Sequence, residues 1–521
     1  MKKKIFILFF FVNFCISVIN AAYVKDMPYQ ITQPNGQIIN CFITGDEYHR
    51  RVFDENGFTI IQHPETGYYV YAVLQNDDLV ATNYIVGQTN PVTVGLIANQ
   101  DISATKKTQK RQFRQSLIPH DEVITPKAAT LRTGTLNNIT IYIKFSDGNF
   151  THTKTAIEDY YMNPTRGASL FAYYRDISDG NFNMVSTFYP STTGTTVLAY
   201  TDTHPRSYFQ PYNASTNTNG YTTEYGTTAT AGMYRLHTLF KAAIIDLKTT
   251  IESEFTAAQL DYDADNYVDN ISFIIQGSSD GWSDILWPHR FNITYGTPTG
   301  NIFLNGKRCS DYFLVLENHL FSVTNGHQSV LCHEMYHVLG APDLYRYDDE
   351  TIDPIAQWDI MCQNAVPPQH STAYIADKYG KFIYDVPEIT QCGTYAVYPL
   401  WDRTPGHNIA FKIRSSLSTT QWYYIEYRKK TGEVYESSNW ITGQGLIIYR
   451  VNTTVSDGNA DGPPDEVYVF RPGGTNNTTD GNINNAFFSS QSGRTTFNST
   501  SNPKCFTSTN AVDNIDISMI S

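Results

Sequence analysis

Apolar and polar positions alternate with a period of two in several short runs near the start of the chain. "QIINCFITG" (37–45), "GFTIIQHP" (57–64) and "GYYVYAVL" (67–74) are bounded by turn residues and predict strands of a small β-rich unit within 22–100. Residues 103–127, "SATKKTQKRQFRQSLIPHDEVITPK", are basic and polar with no hydrophobic period. They read as an exposed linker, within 101–130, that a protease would cut near Arg111 and Arg114.

From about 131 the two periods mix. "NITIYIKF" (138–145) predicts a strand, "TKTAIEDYYMN" and "SLFAYYRDIS" carry helical spacing, and "FNMVSTFYP" is extended. Helices are predicted over 229–248 and 327–339, with a strand over 267–277 between them. Beyond 386, "TYAVYPLW", "HNIAFKIR", "QWYYIEYR" and "GLIIYRVN" predict strands of a separate β domain. With 521 residues, about three domains are expected.

Composition narrows the partners. The net charge of -13 opposes nucleic-acid binding, which needs a basic surface. Lys2, Lys3 and Lys4 precede the apolar run "IFILFFFVNFCISVI", and Ala21 and Ala22 follow. The run is short for a bilayer span and is interrupted by Asn13, so residues 1–21 read as an export signal. A secreted, extracellular monomer without stable membrane insertion is expected. Six cysteines follow the signal: Cys41, Cys309, Cys332, Cys362, Cys392 and Cys505. An exported chain can oxidise them. Sequons at Asn138, Asn149, Asn292 and Asn498 would mark surface glycosylation sites.

The chemistry concentrates in "CHEMYHVLGAPDLY" (332–345). His333 and His337 lie four apart on one helix face, so both imidazoles can reach one ion. Zinc accepts imidazole and carboxylate ligands, and a catalytic site keeps one position for water. Glu334 is placed to take that water's proton. Gly340 can end the helix in a left-handed conformation and turn the chain so that Asp343 supplies the third ligand. Supporting a ligand from behind, or capping the helix, is the other reading of Asp343. Met361, in "WDIMCQN" (358–364), has the order and distance of a methionine turn beneath the ion, although core packing is the default role of a methionine.

These stretches, with "SLFAYYRDISDGNFNMVSTFYP" and "LWPHR" (286–290), resemble the immune inhibitor A-like family of exported zinc metallopeptidases. The resemblance implies Asp343 as third ligand, Glu334 as base and Met361 as the methionine turn. It also implies an N-terminal pro-segment, a calcium-dependent catalytic region and a β-rich C-terminal region. The expected fold is α+β: a zincin-like catalytic domain (131–385) with a mixed sheet and an active-site helix, a small β-rich pro-segment (22–100) before it, and a β-sandwich-like domain (386–521) after it.

Asp261, Asp263, Asp265 and Asp269 alternate in "DYDADNYVD" as calcium ligands do, but Asn266 and Ser272 stand where an EF-hand has Gly and Glu. A solvated acidic turn is the alternative. "DGNADGPPDE" (457–466) is a poorer calcium candidate. Cys332 and Cys362 are expected close enough to bridge. Cys41 as a zinc-binding switch is weighed against a buried or disulfide role, which is preferred. "GNFNMVSTFYP" (180–190) is a possible substrate-holding edge strand. Tyr345, Tyr347 and Tyr374 are candidates to stabilise an oxyanion. The expected activity is endopeptidase action on protein or peptide substrates. Its rivals are a secreted adhesion or carbohydrate-binding protein with an inert site, and a zinc hydrolase acting on non-peptide amides.

Overall fold

The computed structural model describes residues 24–46, 48–116, 131–279, 285–321, 327–347, 352–383, 385–476 and 478–518. The predicted export signal and the second half of the predicted linker lie outside the described residues, as does the side chain of Arg114.

The N-terminal strands are β1 (Val24–Thr32), β2 (Ile38–Gly45), β3 (Arg50–Phe53), β4 (Thr59–Gln62), β5 (Tyr69–Gln75) and β6 (Asp78–Ile85). Each pairs antiparallel with the next to give a six-stranded meander. The period of two is visible in β2, where Ile39, Cys41 and Ile43 join Met27, Ile31 and Ile60 in one cluster. Trp287, from the "LWPHR" segment, inserts into the same cluster.

Helix α1 (Ala104–Ser116) covers what the sequence predicts as an exposed linker. Its docked face is made by ions. Lys107 meets Asp101 at 3.0 Å, and Arg111, one turn on, pairs with Asp461 and donates to the Ala460 carbonyl. Charge pairing leaves no hydrophobic period to read. Arg111 is 2% exposed, so the expected cut at that position is corrected.

The middle of the chain supplies β7 (Gly134–Lys144), α2 (Lys154–Met162), α3 (Leu170–Ile177), β8 (Phe182–Tyr189), β9 (Tyr200–Thr201), α4 (Gly232–Glu254), β10 (Ile271–Ile275), β11 (His289–Asn292), β12 (Ile302–Leu304), β13 (Lys307–Cys309), β14 (Asp311–Leu316), α5 (Glu317–Leu320) and α6 (His327–Val338). The sheet runs β11-β14-β10-β7-β8, with β9 also on β7. β14, β10, β7 and β8 are parallel, and β11 is antiparallel at one end. β10 is buried on both faces, as expected of a parallel strand. Its Phe273 and Ile275 pack with α4 residues, the Phe240 and Phe273 rings being stacked at 3.8 Å. Ile274 points the other way, into the cluster that holds α2, α3 and α6.

Last come β15 (Ala410–Arg414), β16 (Gln421–Arg428), β17 (Gly445–Asn452) and β18 (Val467–Val469), an antiparallel sheet in chain order. "TYAVYPLW" forms no strand; Tyr398 and Leu400 instead donate singly to Asn408 and Tyr427. Nor is the core separate. Tyr424, Tyr449, Val451 and Val467 belong to the cluster that contains α6. On the other face Tyr423, Ile448 and Tyr468 pack with Phe488, Phe497 and Phe506. One sheet thus faces two clusters in place of the expected sandwich. The architecture is mixed α/β with several sheets and few helices.

Two further expectations are corrected. All six described cysteines are free thiols, so Cys332 and Cys362 do not bridge. Both are buried, and the Cys362 thiol lies 3.1 Å from Asp353 Oδ1. Asn138 is fully buried within the central sheet, bonded to Thr140 and Ser186, where no glycan fits. Among the described residues no helix is long and apolar enough to cross a membrane.

Arg428 is fully buried and pairs with Glu426 at 2.7 Å and with Glu436. Arg428→Met leaves two buried carboxylates without their cation and is expected to cost about 3–5 kcal/mol, read from the urea midpoint.

Candidate metal centre

Helix α6 carries apolar residues on several faces because it lies inside the core; Val330, Leu331, Val338 and Leu339 are all buried. Its end is a Schellman turn. Gly340 takes φ +95°, its N–H reaches the His337 carbonyl at 2.8 Å, and the Ala341 N–H reaches the Tyr336 carbonyl at 3.0 Å. The chain doubles back, and Asp343 returns to the two histidines.

His333 Nε2 and His337 Nε2 are 3.0 Å apart, and Asp343 Oδ1 is 3.1 Å from the first and 3.5 Å from the second. Tetrahedral zinc with bonds of about 2.0–2.1 Å spaces its ligand atoms about 3.3 Å apart. The donor set therefore fits the ion in chemistry and in spacing. Each imidazole is held from behind: His333 Nδ1 lies 2.8 Å from the Ile360 carbonyl and His337 Nδ1 2.7 Å from the Ala341 carbonyl. An Nδ1–H donated to a carbonyl leaves the Nε2 lone pair for a metal.

The sequence missed much of what supports this site. The Tyr347 hydroxyl donates to Asp343 Oδ2 at 2.6 Å, and the Tyr345 phenol also bonds to that carboxylate. Tyr374 donates instead to Glu466 at 2.6 Å. The Met361 turn lies behind His333. Asp359 Oδ1 accepts from the Met361 N–H, and the Met361 carbonyl accepts from the Leu344 N–H at 2.8 Å, tying this turn to the Asp343 segment.

The acidic run 457–466 clamps the same segment. The Asn459 N–H reaches the Asp343 carbonyl at 3.0 Å, and its side chain donates to the Leu344 carbonyl at 2.7 Å. Gly458, at φ +73°, passes so close that a Cβ would lie 1.9 Å from the Asp343 carbonyl oxygen. Asp465 is spent on Arg346 at 2.7 Å, and Glu466 on Tyr374 and Lys378. No local pattern announces this role.

Electrostatics follow from complete burial. Burial disfavours charge on His333, but the hydrogen bond and charge of Asp343 carry it above the ordinary histidine range. Burial, then the neighbouring His333 charge, hold His337 well below that range. Burial raises the Asp343 carboxyl against the opposing bonds from His333 and the two tyrosines. Glu334, next to the first ligand, is also fully buried.

The other predicted sites divide. Asp261, Asp263 and Asp265 offer oxygens within 4.8 Å of one another, whereas Asp269 is not in that group and accepts from the Tyr262 N–H. Lys307 Nζ lies 2.6 Å from Asp261 and already supplies a positive charge there. Cys41 is buried in the N-terminal sheet, where burial pushes its thiol up to about 12, and it is not in the metal group. The predicted edge strand β8 ends the sheet on the far side from β11. Helix α6 packs against β11 and β14, which puts the β11 end of the sheet beside the site.

No family model and no curated protein matches the chain. Two crystal forms of wild-type OgpA from Akkermansia muciniphila are weakly similar in structure. One is 11% identical, covering 59% of this chain and 75% of that one with a TM-score of 0.24; the other is 9% identical, covering 65% and 90% with a TM-score of 0.23. Similarity at that level carries neither fold nor function.

Tyr347→Phe removes the bond that orients Asp343 and is expected to lower zinc affinity about 10–100-fold in competition with a chromophoric chelator. Gly458→Ala, which must displace Asp343, is expected to lower it at least as far while the far-ultraviolet circular dichroism stays unchanged.

Proposed function

We propose that the protein is an exported zinc endopeptidase made as a precursor, of the type its site motifs share with the immune inhibitor A-like family, with a zincin-like catalytic region over 131–385. The observation that carries this reading is the convergence of His333 Nε2, His337 Nε2 and Asp343 Oδ1 within 3.5 Å, with Glu334 adjacent. An inert site has no need of the Glu334 base.

Zinc, bound by His333, His337 and Asp343, would supply Lewis acidity and make a water acidic enough to deprotonate near neutral pH. Glu334 takes the proton of the attacking water and delivers it to the departing amine, so the peptide C–N bond breaks as a C–O bond forms. The β11 edge is the place where an extended peptide would add its main-chain hydrogen bonds. Calcium would bind the turn of Asp261, Asp263 and Asp265, displacing Lys307 from Asp261. The rival reading, a secreted adhesion or carbohydrate-binding protein, places function in the C-terminal sheet and leaves the metal idle.

Zinc-loaded protein freed of residues 24–116 is expected to cleave a denatured protein, and a chelator to stop it. Glu334→Gln is expected to retain zinc by elemental analysis while kcat falls at least about a hundredfold, the usual contribution of a general base. Full cleavage by that variant would end this mechanism. Calcium is expected to raise the melting temperature of the native chain but not of Asp263→Asn.

A further inference from the structure

Arg450 sets a positive charge inside the aromatic core of the last sheet. In register across that sheet it stands between Tyr423 of β16 and Tyr468 of β18, whose side chains pack with Phe497 and Phe506. It is 1% exposed. Its Nη1 donates to Asn476 Oδ1 at 2.9 Å and to the Phe506 carbonyl at 3.4 Å. A guanidinium has five N–H bonds. The other three, on Nε and Nη2, have no acceptor among the described residues. The Tyr468 and Phe506 ring centroids lie 5.2 and 5.7 Å from the guanidinium carbon, which attracts the cation but gives its N–H bonds no lone pair.

The charge is unmatched as well. Burial pushes the Arg450 guanidinium below its ordinary range; the Asp465 charge opposes this and the Arg346 charge adds to it. Asp465, however, is already held by Arg346, and the third buried arginine, Arg471, has Asp480 at 2.7 Å. Arginine keeps its proton in proteins, so titration does not remove the Arg450 charge, and a buried charge costs free energy until it is paired.

Arg346 shows what the open edge of Arg450 is shaped for. Nε and Nη2 present parallel N–H bonds on one side of the guanidinium, and on Arg346 that side holds both oxygens of Asp465 at 2.7 Å each. Because Arg450 is enclosed, its partner must be small enough to be enclosed with it.

We propose that the Nε–Nη2 edge of Arg450 binds one small monovalent anion, of the class of chloride, nitrate and formate, inside the C-terminal region. The anion neutralises Arg450 without drawing Asp465 from Arg346. The site shares no residue with the metal group and does not depend on the peptidase reading.

The test uses the full chain in sodium gluconate, whose anion is too large to be enclosed, at constant ionic strength. Replacing gluconate by chloride is expected to raise the melting temperature saturably, by about 2 °C or more, and nitrate and formate are expected to do the same. In Arg450→Met the rise is expected to vanish. A crystal of the parent grown in bromide is expected to show an anomalous peak within hydrogen-bonding distance of both Arg450 Nε and Nη2, which decides the matter if the variant does not fold. A response to chloride alone, or to nitrate and formate alone, supports the site and tells a spherical guest from a planar one. A melting temperature indifferent to all three anions, a rise that persists in folded Arg450→Met, or water alone at the fork overturns the proposal. So does a bromide peak without any shift in melting temperature, which would mark an adventitious ion only.

Discussion

Three lone pairs held within 3.5 Å of one another, in a site buried from the surface, constrain everything around them. Electron-rich atoms repel at that spacing, and no single element holds all three. The Ile360 and Ala341 carbonyls fix the imidazoles and the phenols of Tyr345 and Tyr347 fix the carboxylate. The histidine bonds are made through Nδ1 and the Tyr347 bond through Oδ2, which leaves the Nε2 atoms and Oδ1 to face one another. The scaffold therefore orders the ligands in advance, and the ion need not pay for ordering them.

This preorganisation explains why the core is continuous. Helix α6 supplies the histidines, but the groups that aim them come from the 359–362 turn, the Schellman turn and the C-terminal loop at 458–459. Each must be placed to within tenths of an ångström, which packing achieves only where the elements share one close-packed interior. The cluster around α6 accordingly takes in Tyr142 of the central sheet and Tyr449 of the last one.

The sequence made the first ligands legible because helix periodicity is local: His333 and His337 have one possible relation on a helix, and Gly340 has a recognisable way to end it. The parallel strands and long helices were legible for the same reason. What escaped was held by contacts distant in sequence. Arg111 packs through charge on a helix with no apolar stripe, so its helix read as a linker. Gly458 is fixed by a backbone approach 115 residues away and reads only as part of an acidic loop. Cys332 and Cys362 flank site residues closely in sequence, but closeness to one centre does not align two thiols with each other.

The Asp343 segment is thus gripped from both ends of the chain. Tyr48 and Arg111 hold Tyr347 from the N-terminal side, while Gly458 and Asn459 hold the backbone of Asp343 and Leu344 from the C-terminal side. The two grips differ in kind. The C-terminal one uses main-chain bonds and a glycine that admits no side chain, so it cannot release without breaking the core. The N-terminal one uses the ring of Tyr347, against which the Tyr48 ring is tilted by 57° and the Arg111 guanidinium lies 5.3 Å from the centroid, contacts worth about 1 kcal/mol each.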